Sequence, residues 1–68
     1  EESMLQALKL QYEAEMAKAE EAIEIILHKH TAVPEHPTAK LWDDLDEQIG
    51  IMADRQDRLD MLARVQDN

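Results

Sequence analysis

Thr31-Ala32-Val33-Pro34-Glu35-His36-Pro37-Thr38 decides the fold. Both prolines of the chain lie in this octapeptide, and proline is the strongest local breaker of helix. On either side run long segments rich in Ala, Leu, Glu, Gln, Lys, Met and Arg, all good helix formers. The pattern predicts a helix over about 3–30, a turn over about 31–37 and a second helix over about 38–66, as one domain spanning 1–68. Each helix would be roughly 40 Å long.

The helix ends agree with this division. His28, Lys29 and His30 fall in the last turn of the first helix, where cations complement the helix dipole. Thr38 can cap the second helix; His36 as cap with Pro37 in the first turn is the alternative. Asp43, Asp44, Asp46 and Glu47 follow in its early turns, near the positive end.

Apolar spacing then suggests how the helices meet. Leu5, Leu8, Tyr12, Met16, Ala19, Ile23 and Ile26 recur every three or four residues in the first helix. Trp42, Leu45, Ile49, Met52, Gln56, Leu59 and Ala63 do so in the second. Steps near 3.5 residues suit a left-handed antiparallel pair. Folding the chain at Pro34 brings Ile26 to Trp42, Ile23 to Leu45, Ala19 to Ile49, Met16 to Met52, Tyr12 to Gln56 and Leu5 to Ala63. The residue numbers of every such pair add to 68. The expected fold is therefore all-α, an antiparallel two-helix hairpin. Gln56 is the polar member of its stripe. It is either wet, near the open end, or bonded to Tyr12 and fixing register. Gly50 lies within the second helix, away from this seam, at a close approach of helices or at an open position.

Leu10, Ala14, Ala17, Ile25, Leu27, Ile51, Met61, Leu62 and Val65 lie off the seam and form the candidate surface for an oligomer or partner. A chain of 68 residues without cysteine rarely stabilises itself on one seam. The expectation is a homodimer forming a four-helix bundle, or packing against a helix of another protein.

Composition limits the chemistry. Sixteen acidic and seven basic residues give a formal net charge of −9, which opposes direct binding to nucleic acid or an anionic membrane. The absence of cysteine excludes disulfides and thiolate zinc sites. No apolar run approaches a transmembrane span and no signal-peptide core is evident, so a cytoplasmic protein is expected. His28, His30, His36 and Glu24 are the weak metal candidates. Imidazoles and a carboxylate near a turn can bind zinc or nickel, but His28 and His30, two apart, point to different faces. No nucleophile–base pair or glycine-rich phosphate loop is present, so neither a catalytic role nor a cofactor is expected.

Asp54-Arg55-Gln56-Asp57-Arg58-Leu59-Asp60 alternates in charge. Asp54–Arg58, Asp60–Arg64 and Glu15–Lys18 are expected to pair along their helices on an exposed face.

In length and layout the chain is similar to the short hairpin chaperones of type III secretion needles and to the RNA-binding hairpin of plasmid copy-number control. The second likeness would imply a basic face, whereas each helix here is net acidic. Small acidic helical proteins of this sort also occur in phage and prophage genomes. The expected function is a protein–protein interaction module: an adaptor, assembly factor or chaperone acting through helix packing. The alternatives are an acidic inhibitor mimicking nucleic-acid charge, and an oligomerisation segment of a larger protein. Either Met4 is the native start, with residues 1–3 foreign to it, or the chain is part of a longer one.

Overall fold

Two helices, α1 (Glu2–Ala32) and α2 (Ala39–Asp67), make up the computed structural model. It describes residues 2–32 and 39–67, with side chains over 3–29 and 39–67. The helices pack along their lengths as an antiparallel hairpin. Glu15 meets Arg55 near the middle, and Leu5 shares a groove with Leu62 and Val65 towards the open end. The molecule measures 51 × 15 × 13 Å. Its radius of gyration is 15.7 Å, whereas a compact domain of this length has about 11 Å.

α1 runs through Thr31 and Ala32, which the sequence pattern places in the turn. Proline disfavours helix at itself and at the residue before it, and Thr31 and Ala32 precede both positions. The rest of the expected turn lies outside the described residues, as do Pro34, His36, Pro37 and the candidate cap Thr38. α2 begins at Ala39, so its first turn carries no acid. Asp43 and its acidic followers stand beyond the reach of the dipole, which fades within one turn. Lys40 occupies that first turn instead and bonds Asp44 at 3.0 Å. At the far end Arg64 sits in the last turn, beside the helix's partial negative charge.

Among the described residues only Ala19 and Leu62 are buried, at 2 % and 8 % exposure. The shielded side of α1 is Leu5, Tyr12, Glu15, Met16, Ala19, Ala22, Ile23 and Ile26. Ala19 and Ala22 are the small members of this side, and Ala19 is the most buried residue described. On α2 the shielded line is Leu41, Leu45, Gln48, Met52, Arg55, Leu59 and Leu62, with steps of three and four residues.

That line corrects the expected seam at alternate positions. Leu45, Met52 and Leu59 belong to both. Trp42, Ile49, Gln56 and Ala63 are exposed, and the residue before each of them takes the inner place. Trp42 is 62 % and Ile49 56 % exposed. On α1, Leu8 stands at the exposed margin of the seam. The pairing changes with the face: Tyr12 lies under Arg58, not Gln56, and Glu15 meets Arg55. On this flank the partners' numbers add to 70, not 68. Gln56 is wet, and its side-chain amide bonds Asp60 one turn on at 3.0 Å.

Candidate interaction surface

Helical positions seven apart stack in a line when two helices coil about each other. α2 therefore presents four relevant lines. Leu41, Gln48, Arg55 and Leu62 face α1, with Leu45, Met52 and Leu59 beside them. Asp44, Ile51, Arg58 and Val65 form one flank. Trp42, Ile49, Gln56 and Ala63 form the opposite flank, exposed along its whole length.

The first flank carries two open grooves between the helices. The middle groove, of about 350 Å³, is lined by Glu15, Lys18, Ala19, Ala22, Gln48, Ile51 and Arg55. The end groove, of about 300 Å³, is lined by Leu5, Leu8, Tyr12, Arg58, Met61, Leu62 and Val65. The middle groove is bridged by charge. Arg55 Nε donates to Glu15 Oε1 at 2.7 Å, and its Nη1 donates to Asp54. Arg58 Nε bonds Asp54 at 3.0 Å and stacks its guanidinium over the Tyr12 ring, 5.9 Å from the centroid. The bond from Arg55 holds the Glu15 carboxyl below its ordinary range against the opposing effect of partial burial, and the positive charge of Arg55 adds to it. The same bond to Glu15, then that to Asp54, raises the Arg55 guanidinium.

Of the three pairs expected along the helices, Asp54–Arg58 forms. Glu15 is engaged across the hairpin by Arg55, with Lys18 at the groove wall. Asp60 accepts from Gln56. Charge alternation shows that Arg55 will find an acid nearby. It does not show that one of these acids stands on the other helix, because Glu15 is forty residues away in sequence.

The off-seam residues do not form one surface. Leu10, Ala14, Ala17, Ile25, Leu27, Met61 and Val65 are exposed. Leu62 is instead buried between the helices, and Ile51 is half-buried at the middle groove. Both corrections follow from the one-residue change of face on α2, which turns Leu62 inward in place of Ala63. Gly50 faces open space, with nothing within 4 Å of the position a Cβ would take.

Glu24 and His28 are exposed, one turn apart on α1. The His30 side chain and all of His36 lie outside what the structure describes. Among the described residues no three His, Asp or Glu side chains are grouped to hold a metal ion. No helix among them is long and apolar enough to cross a membrane. Compared with protein-family models, curated proteins and solved structures, the chain matches none.

Proposed function

We propose that this chain is a small, non-enzymatic protein–protein interaction module that works by helix packing and associates with itself. One observation carries the reading: among the described residues, two long helices in contact bury only Ala19 and Leu62, while Trp42, Ile49, Met61, Val65, Leu10 and Ile25 stay at least half exposed. A single seam leaves each helix with apolar surface that a further helical layer would cover. Roles for such a module include adaptor, assembly factor and chaperone. The charged groups support a structural reading over a catalytic one. Glu15 and Arg55 tie the helices together, and Lys40 and Arg58 are each held by an acid on their own helix.

Sedimentation velocity tests the proposal across roughly 10 µM to 1 mM, the range in which weak to moderate self-association becomes visible. A species of twice the 7.9 kDa chain mass should grow with concentration. A strict monomer throughout would overturn self-association.

A further inference from the structure

The exposed flank of α2 is chemically unlike the rest of the helix. Twelve of its 29 residues are charged. Yet Trp42, Leu45, Ile49, Met52, Gln56, Leu59 and Ala63 run almost its whole length without one charge. Leu45, Met52 and Leu59 are only partly shielded by α1, so they show an outer edge to this flank beside Trp42 and Ile49. The stripe has the period of a helix–helix seam, and α1 covers only the inner edges of Leu45, Met52 and Leu59, leaving Trp42, Ile49, Gln56 and Ala63 exposed.

The surface area indicates how much is missing. The hairpin exposes 5461 Å². A folded monomer of its mass exposes about 4400 Å² by the usual scaling with mass. The excess, about 1000 Å², is spread over the whole thin hairpin, and is large enough to supply the roughly 800 Å² that each partner contributes to an interface of standard size.

Shape points to a second copy as the occupant, and the uncharged stripe is where like-charged copies repel least. Two chains of −9 repel, so copies meet most easily over a surface poor in acids; no member of this stripe is charged, and the Asp60 carboxylate held by Gln56 stands at its edge. It is also large at one end and small at the other, with Trp42 about as far before Met52 as Ala63 lies beyond it. A two-fold axis near Met52 sets the indole of one copy against the Leu59–Ala63 end of the other, large side chain over small.

We infer that α2 carries a self-association face made by Trp42, Ile49, Gln56 and Ala63 with the outer edges of Leu45, Met52 and Leu59, and that its occupant is the same face of a second copy. This rests on the self-association proposed above and adds where it happens.

The test uses the intact chain and the Ile49→Lys, Ile49→Ala and Leu10→Lys variants, each first shown to be helical by circular dichroism. Ile49 is exposed in the hairpin, so a lysine there leaves the seam with α1 in place. The dimer constant is read by sedimentation, and burial of Trp42 by a blue shift of its emission as concentration rises. Ile49→Lys should weaken the dimer by about tenfold or more, and Ile49→Ala by less. Leu10→Lys, on the other helix and off the stripe, should dimerise like the unaltered chain. If Ile49→Lys is helical and dimerises as tightly as the unaltered chain, the face is wrong while self-association stands. If the unaltered chain stays monomeric, both fall.

Discussion

Arg55 of α2 reaches across the hairpin to Glu15 of α1, Nε to Oε1 at 2.7 Å, with both side chains about three-quarters or two-thirds shielded. The bond joins residues forty apart and lies where the helices run side by side at mid-length. It also accounts for an arginine in a line otherwise made of Leu41, Gln48 and Leu62. The aliphatic stem of Arg55 covers the seam while its head stays at the groove, where Glu15 and Asp54 receive it.

Removing that bond should change how stability depends on acid. The Glu15 carboxyl is held below its ordinary value of 4.5, first by the bond from Arg55. A lowered folded-state value means the contribution is fully present above the unfolded value and is lost as pH falls through the folded one. Glu15→Gln should therefore lower the melting temperature at neutral pH and narrow the gap to the unaltered chain as pH falls below 4.5. Thermal melts of both chains across that range check it. A gap independent of pH would show that the ion pair contributes nothing measurable.

Leu62 is the most shielded large side chain described, at 8 % exposure. Leu62→Ala should cost about 2 kcal/mol, the low end for a buried leucine, because the open end groove beside it lets neighbours relax. Ala63→Ser, one residue on and exposed, should change stability by less than about 0.5 kcal/mol in the hairpin itself. Urea melts of the two variants under conditions favouring the monomer distinguish the inner line from the outer one. Equal losses would contradict the observed face.

Gly50→Ala should stabilise. The glycine sits inside α2 without a positive φ, and a Cβ there meets nothing within 4 Å. Alanine is favoured over glycine in a helix interior by about 1 kcal/mol, worth about 4–8 °C in melting temperature for a domain of this size. An unchanged or lower melting temperature would mean that Gly50 is needed for a contact outside the single chain.

Salt should tighten self-association. Each chain carries −9, so dimerisation brings like charges together over an uncharged contact. Raising salt from about 0.02 to about 0.5 M shortens the screening length from about 20 Å to about 4 Å, which relieves the repulsion. The dimer constant, followed by sedimentation, should strengthen across this range. An acidic mimic of nucleic acid, the competing reading, behaves in the opposite way towards a basic partner, releasing it as salt rises.

The residues that legibly fold this chain are few. Pro34 and Pro37 mark the break between two stretches of strong helix formers, and the helices are found on either side of it. On α1 the stripe of Leu5, Tyr12, Met16, Ala19, Ile23 and Ile26 could be read from spacing, because the lines on either side of it hold Glu13, Glu20 and Lys18. On α2 spacing was ambiguous. The lines Leu41–Gln48–Arg55–Leu62 and Trp42–Ile49–Gln56–Ala63 both have seven-residue repeats and share Leu45, Met52 and Leu59 as their neighbour. Hydrophobicity favours Trp42 and Ile49 for the seam.

Sequence alone thus determined two helices, their antiparallel return and most of the α1 face, since these depend on local propensity and on one dominant apolar stripe. The tertiary structure alone decided which of two adjacent lines on α2 turns inward. The choice rests on contacts between residues remote in sequence. Arg55 finds Glu15, Arg58 covers Tyr12, and Leu62 closes the end groove beside Leu5. With those contacts the line Leu41–Gln48–Arg55–Leu62 faces inward, and Trp42 and Ile49 stay on the outside.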